Sequence, residues 1–182
     1  AEFTISVKSD GFCFSGSIKT VTPGWIVKEL NYPLLGNIRI TGSETGIYWP
    51  VSLGEFHNKP ETFGSKSLWY PAAMGCAMPW FSLNYPGGGL YIGDHDVTQE
   101  NKVINLSYDK VTRTFSTGMV RPVYAGTFQI PEVMVKPYAG EWYMASKYYR
   151  NWYNKHFVQH SPPGWVKDDT GWLLAILKQQ NM

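Results

Sequence analysis

The chain has little charge and no long apolar run. Charged residues make up 16% of its 182 residues, and the formal net charge is only +2. No run of lysine or arginine occurs, so we expect no nucleic-acid partner. No apolar stretch approaches the roughly 20 residues that a membrane helix needs, so we expect no membrane partner. The first residues, Ala1 to Thr4, lack the basic and apolar regions of a signal peptide.

Cysteine is nearly absent, which limits the metal and redox chemistry that the sequence can support. Cys13 and Cys76 lack the CxxC spacing of a zinc site. Their apolar surroundings favour buried free thiols, and a disulfide in an exported protein is the alternative. The triple glycine at 87–89 lacks the following Gly-Lys-Ser/Thr of a phosphate-binding loop, so we predict a hairpin loop there. No cofactor and no metal is predicted.

Aromatic residues are abundant, at 16% of the chain, and short alternating runs predict many β-strands. Phe3, Ile5 and Val7 alternate with polar residues, for example. Turn formers at 22–24, 32–33, 85–89 and 109–110 separate the runs. This pattern is typical of a sandwich or a barrel. The further candidate strands are 12–14, 38–41, 46–53, 78–83, 90–93, 103–108, 113–117, 126–130 and 133–135.

The pattern becomes helical after residue 139. Within 140–157, aromatic and small residues recur at three- and four-residue steps and define one helical face that we expect to be packed. A Ser-Pro-Pro-Gly break follows at 161–164, and 171–180 is a second, strongly apolar helix candidate. The residues of the first helical face are Trp142, Ala145, Tyr149, Trp152 and His156.

The most informative segment is 68–96, where aromatics, prolines and glycines precede an Asp94-His95-Asp96 cluster. On an extended strand the two aspartates share one face and His95 points to the other. Two carboxylates on one face could hold the vicinal diol of a sugar, or bind calcium. The simpler alternative is a strand end at which aspartate caps backbone N–H groups.

Aromatic rings beside carboxylates and an imidazole suit a carbohydrate, because rings stack on the C–H face of a sugar while acids bind its hydroxyls. Core packing is the alternative for each tryptophan. Neither a Gly-x-Ser-x-Gly nor an HExxH motif occurs, so the sequence predicts no catalytic residue. The predicted carbohydrate-binding residues are Trp49, Trp69, Trp80, Tyr91, Asp94, His95 and Asp96.

Several segments resemble the N-terminal part of a group of bacterial proteins classed as glycoside hydrolases. These segments are WYPAAMGCAMPWFSLNYPGGGLYIGDHD at 69–96, GEWYMASKYYRNW at 140–152 and PPGWVKDDTGWLLAILKQQN at 162–181, and IYWPVSLGEF at 47–56 also fits. Members of this group pair a β-supersandwich with a (β/α)₈ barrel. Their architecture is similar to that of endo-α-N-acetylgalactosaminidases and, more remotely, of α-galactosidases.

The resemblance implies a mainly β fold, with an antiparallel supersandwich over 1–138 and two C-terminal helices over 139–182 that lead toward a barrel outside this chain. Catalytic carboxylates of such enzymes sit on the barrel. We therefore expect a non-catalytic sandwich of a carbohydrate-active enzyme, which supports the barrel and contacts a glycan. Its partners would be a glycan or polysaccharide and the barrel or another chain, and polysaccharide degradation favours the periplasm or the exterior.

Two other functions are compatible with the residues. One is a stand-alone carbohydrate-binding module, which the aromatic content and the loop between Trp80 and Asp94 favour. The other is a small glycosidase that uses Asp94 and Asp96, because carboxyl groups roughly 5 Å apart can act as a retaining pair.

Overall fold

Alternating side chains place this chain in two antiparallel sheets, as the sequence predicts. The computed structural model describes residues 1–8, 10–19, 24–39, 45–52, 54–72, 75–123, 126–158, 160, 161, 163 and 164. Edge to edge, the seven-stranded sheet contains β1 (Glu2–Lys8), β2 (Gly11–Lys19), β11 (Thr127–Ala139), β8 (Gly88–His95), β7 (Trp80–Tyr85), β4 (Gly46–Trp49) and β5 (Glu55–His57). The four-stranded sheet contains β3 (Glu29–Ile38), β10 (Thr114–Pro122), β9 (Lys102–Asp109) and β6 (Ser65–Tyr70).

The main core lies between the two sheets. Apolar residues of β4, β7, β8 and β11 face apolar residues of β9 and β10 across this interface. Burying each large apolar side chain contributes about 1.5–3 kcal/mol, which makes this interface the main source of stability. The most deeply buried members include Ile47, Phe81, Leu83, Ile92, Ile104, Leu106, Phe115, Met119 and Val133.

A third layer is formed by helix α2 (Tyr143–His156), which packs on the outer face of the seven-stranded sheet. Its buried residues Ala145 and Tyr149 contact a cluster that includes Tyr91 of β8. The predicted helical face is therefore confirmed at these two positions. The helix lies against the sandwich and covers the second face of β8; its predicted lead toward a barrel stays a prediction. The other predicted helix, 171–180, lies outside the described residues.

The triple glycine belongs to a tight hairpin, as predicted. Pro86 and Gly87 connect β7 to β8, and Gly87 has φ +85°, which glycine adopts without steric cost. Gly89 lies beneath the phenol ring of Tyr138, and a Cβ atom at this position would overlap that ring. The predicted connection at 109–110 is also a hairpin, in which the Asp109 carboxylate accepts hydrogen bonds from the backbone N–H groups of Val111 and Thr112.

The predicted turn at Tyr32-Pro33 is wrong, because both residues lie within β3. Strand β3 is an edge of its sheet, where a proline without an N–H group is tolerated. Its register with β10 shifts between Leu34 and Asn31, and Pro33 falls in that bulge. The sequence does not predict the four-residue helix α1 (Pro60–Phe63) or the strands β5 and β6, and its candidate strand at 38–41 meets β3 at Ile38 alone. The predicted strands 126–130 and 133–135 are one strand, β11, with a bulge.

The two cysteines are buried free thiols, so that prediction is confirmed. The Cys13 sulfur lies 3.6 Å from the Met134 sulfur, and the Cys76 thiol donates to the carbonyl oxygen of Met78 at 2.7 Å. Burial raises the pKa of Cys76 to about 12. Across the part of the chain that the structure describes, no helix has the length and apolar character to cross a membrane.

Candidate functional site

Two adjoining cavities lie along the flank of α2 and share Met78, Trp80 and Ser146 as lining residues. Their volumes are about 480 Å³ and 490 Å³, which lie within the range of small-molecule sites. We call the two cavities together the aromatic cleft. Besides the shared residues, its walls include Tyr70, Gln99, Tyr149, Arg150 and Tyr153 in the first cavity and Tyr48, Trp49, Glu55, Phe56 and Trp142 in the second.

The first cavity combines tyrosine rings with a few fixed polar groups. Two hydrogen bonds hold the Gln99 side chain. Its oxygen accepts a hydrogen bond from the Tyr70 hydroxyl, and its NH₂ group donates one to the Asp96 carbonyl oxygen at 2.6 Å. Arg150 and Ser146 enter from α2. This cavity can therefore offer ring faces, a guanidinium and an oriented amide to one ligand.

The second cavity is bordered by a stack of three rings. The Tyr48 ring lies between Phe56, at a centroid distance of 4.3 Å, and Trp142, at 4.6 Å, and both pairs are nearly parallel. Phe56 and Trp142 remain 51% and 42% exposed. The Phe56 ring lies directly over Gly46, where a Cβ atom would overlap it. The backbone thus fixes one end of an exposed aromatic surface, and the start of α2 provides the other.

Two tryptophans beside the second cavity carry unused hydrogen-bond donors. Trp49 and Trp80 are 2% and 5% exposed, and their indole N–H groups have no hydrogen-bond partner among the described residues. Buried donors are normally paired. The cleft is therefore flanked by two donors that the described residues leave without a hydrogen bond.

A buried ion cluster lies on the core side of β8, behind the first cavity. The ammonium of Lys102 is 2.8 Å from Asp94 and 2.5 Å from Asp96, and the guanidinium of Arg121 is 2.8 Å from Asp94. All four side chains are at most 3% exposed. Two positive and two negative charges cancel within this cluster, which is the arrangement that buried ions need.

The two aspartates are held differently within this cluster. Asp96 accepts hydrogen bonds from Lys102, from the backbone and hydroxyl of Thr98 and from the Glu100 N–H. Burial acts to raise the pKa of Asp96, but Lys102 and Thr98 together hold it below its usual value. Neither oxygen of Asp94 has a hydrogen bond of ordinary geometry with the described residues. Asp94 therefore depends on its charge contacts with Lys102 and Arg121.

The ion cluster also lies close to a residue that lines the cleft. The Lys102 ammonium lies 5.3 Å from the centre of the Tyr70 ring. Burial, with the nearby charges of Asp94 and Asp96, raises the pKa of Tyr70 to about 12. The Tyr70 hydroxyl therefore stays protonated and donates to Gln99, which keeps that amide in place.

His95 lies on the opposite face of β8, beneath α2. Its Nε2 atom is 3.1 Å from the Tyr91 hydroxyl, and its ring stacks on Trp152 at 4.8 Å with an interplanar angle of 8°. Burial lowers the pKa of His95 to about 4; Glu132 and Asp94 act in the opposite direction, and His156 and Lys8 act in the same direction as burial. The imidazole is therefore neutral near pH 7.

This burial predicts acid sensitivity. His95 titrates near its ordinary value of about 6.5 when the chain is unfolded, so between about pH 6.5 and pH 4 the unfolded state binds more protons. Stability should therefore fall as the pH is lowered through this window, by about 2 kcal/mol at pH 4.5. Urea unfolding of the wild type and His95→Gln at pH 7.5 and pH 4.5 checks this. Between these two pH values, the free energy of unfolding should fall by about 2 kcal/mol less in the variant than in the wild type. Equal decreases in both proteins would contradict the lowered pKa of His95.

Of the seven predicted carbohydrate-binding residues, the structure brings only Trp49 and Trp80 to the cleft. Both are largely buried, with exposures of 2% and 5%, so that little of either ring faces the cleft. Trp69 is 67% exposed on the edge strand β6 of the other sheet and does not line the cleft.

The other four predicted residues are interior. Tyr91 is fully buried beneath α2 beside the half-buried His95. Asp94 and Asp96 share one face of the chain, as predicted. That face points into the core, where Lys102 and Arg121 neutralise the two carboxylates. In this arrangement a glycan at the surface reaches neither carboxylate, since their exposures are 0% and 2%.

Sequence reasoning missed most of the cleft. Tyr48 and Phe56 sit on two short paired strands, and their contact depends on a pairing that local sequence does not reveal. A signal did exist in α2, where Trp142, Ser146, Arg150 and Tyr153 follow one another at four-, four- and three-residue steps. This stripe runs beside the packed face and mixes aromatic with polar residues, which distinguishes it from a face that only packs.

Acidic and metal-binding side chains do not gather as they would at a metal centre. Among the described residues, no group of three or more histidine, cysteine, aspartate or glutamate side chains is arranged to hold a metal ion. Both carboxylates of the predicted Asp-His-Asp cluster instead contact cations of the protein.

Two comparisons with known proteins found no match for this chain. No protein-family model matches it, and no curated protein is significantly similar to it. A functional hypothesis must therefore start from the aromatic cleft.

Proposed function

We propose that this chain is a non-catalytic β-sandwich that binds a glycan in the aromatic cleft, as part of a carbohydrate-active enzyme. The main support is the composition of the cleft: exposed ring faces with a few fixed polar groups between them. Pyranose rings present an apolar C–H face and a rim of hydroxyls. Aromatic rings match that face, and isolated polar side chains match that rim.

The polar groups of the cleft are suited to sugar hydroxyls and not to catalysis. Arg150 and the amide of Gln99 donate, and Glu55 accepts, at different points along the two cavities. A glycosidase needs two accessible carboxyl groups on either side of the scissile bond. Asp94 and Asp96 do not meet that condition, because both are neutralised in the core. Membership of a larger enzyme rests on the resemblance at 69–96 and 140–152.

Native gels cast with mucin, galactomannan, starch or xylan test the proposal. We expect one of these glycans to retard the chain and Trp142→Ala to weaken binding at least about fivefold, since an aromatic contact is worth about 1 kcal/mol. Trp69→Ala is the matched control, because that indole is more exposed but lies on the other sheet. Its binding should equal that of the wild type.

The remaining outcomes each contradict part of the proposal. No retardation by any glycan argues against carbohydrate binding. Binding that is lost in Trp69→Ala and kept in Trp142→Ala moves the site away from the cleft. Release of reducing sugar by the chain, abolished in Asp94→Asn, contradicts a non-catalytic role and favours the small glycosidase.

A further inference from the structure

Strand β1 is an unusually regular sheet edge. It forms one edge of the seven-stranded sheet and pairs with β2 over all seven of its residues without a register shift. It contains no proline and no bulge, which are common protections of an edge strand. In the described part of the chain no strand pairs with its outer side. Such an edge is a template for pairing with another strand.

The sequence of β1, EFTISVK, is complementary to itself when two copies run antiparallel around Ile5. In that register Glu2 of one copy lies opposite Lys8 of the other. Phe3 lies opposite Val7, and Thr4 lies opposite Ser6. Opposite charges, apolar pairs and hydroxyl pairs are the cross-strand combinations that stabilise an antiparallel ladder. Because residues directly opposite share a face, the Glu2–Lys8 pairs lie on one face and the apolar pairs on the other.

The apolar face of this edge is only partly covered, because the Phe3 ring packs on Tyr32 of β3 at a centroid distance of 4.7 Å while Ile5 and Val7 stay exposed. Val7 lies opposite Phe12, which in turn lies opposite Val135 of β11, so the three side chains share the core-facing side of the sheet. Val135 is buried, but Phe12, Ile5 and Val7 are 48%, 63% and 77% exposed. The apolar stripe therefore extends past the cover that the four-stranded sheet provides, and exposed patches of this kind mark interaction surfaces.

We propose that the chain forms a two-fold symmetric dimer in which the β1 strands of two copies pair antiparallel, centred on Ile5. The two seven-stranded sheets then become one continuous sheet, and the apolar stripes meet at the symmetry axis. The contacts that the edge already makes leave hydrogen-bonding capacity on β1 for a second strand. The Tyr32 hydroxyl donates to the Thr4 carbonyl oxygen at 3.2 Å, which has a second lone pair, and Lys8 uses one of its three donors for Glu132.

Charge reversal tests this pairing and its register in the full chain. Sedimentation equilibrium should show a dimer for the wild type. Glu2→Lys and Lys8→Glu each place like charges opposite each other at two symmetric positions, so each should raise the dimer Kd at least about tenfold. An equimolar mixture of the two variants restores opposite charges at both positions and should dimerise with wild-type affinity. Thermal unfolding of each variant verifies that it is folded.

A cysteine at the axis provides a second measurement. Ile5→Cys should form an intermolecular disulfide, because residues 5 of the two copies face each other, whereas Thr4→Cys should not. Both native thiols are buried and do not compete. Val111→Lys, at a 92% exposed residue in the β9–β10 hairpin, is the control and should dimerise normally. A monomeric wild type, or a dimer that neither charge reversal weakens, would overturn the proposal.

Discussion

Replacing Lys102 with methionine is expected to lower the free energy of unfolding by about 3–5 kcal/mol, the usual cost of breaking a buried ion pair. Lys102 is the only cation within contact distance of Asp96 among the described residues, and it also contacts Asp94. Without its ammonium, Arg121 alone would face two buried carboxylates. At least one of them must then take up a proton or draw water into the core.

Urea unfolding at pH 7 measures this effect, with Lys66→Met as the control. Lys66 is also paired, at 3.8 Å from Glu55, but both side chains are more than a third exposed. Such pairs contribute at most about 1 kcal/mol. The double variant Lys102→Met/Asp96→Asn should recover part of the loss, because one negative charge is removed with the cation. If Lys102→Met cost no more than Lys66→Met, the cluster would not stabilise the fold.

Tyr91→Ala is expected to be about as costly, at about 3–5 kcal/mol, because it would leave a large cavity under α2. Tyr91 is fully buried, its ring lies 6.0 Å from that of Trp80 and 5.7 Å from that of Tyr148, and its hydroxyl contacts His95. The ring also covers Gly93, where any Cβ atom would overlap the phenol. Removing it therefore takes away the contact through which α2 rests on β8.

Tyr91→Phe separates the ring from its hydroxyl. That variant keeps the packing and loses one hydrogen bond, so it should cost about 1 kcal/mol. Chemical denaturation followed by tryptophan fluorescence is informative here, since Trp80 and Trp152 lie on the two sides of the interface. Equal losses for the alanine and phenylalanine variants would show that the hydroxyl, and not the ring, holds the helix.

Much of the fold follows from local pattern. Alternation in β1 and the turn residues Pro86 and Gly87 predict their elements, because side-chain period and backbone preference act within a few residues. Tyr32-Pro33 misled the prediction because proline is compatible with a strand only at an edge, and edge position is a property of the whole sheet.

The site was harder to predict for a related reason. The prediction that Asp94 and Asp96 share one face is correct. Their burial, however, depends on Lys102 and Arg121, which the opposing sheet supplies. A sequence that carries two acids on one strand face does not reveal that cations lie across from them. Trp142 was assigned to helix packing because helical periodicity does not distinguish a face that covers a sheet from a neighbouring stripe that borders a cavity.

The position of that stripe on α2 separates two tasks of one helix. Ser146, Arg150 and Tyr153 line the cleft, whereas the neighbouring Ala145 and Tyr149 secure the helix to the sheet. Residues that line the cleft and residues that secure the helix thus alternate along the same two turns, and Tyr149 does both. Under the proposed function, exchanging Ser146 or Arg150 would therefore change the lining of the cleft and leave the contacts of Ala145 and Tyr149 with the sheet in place.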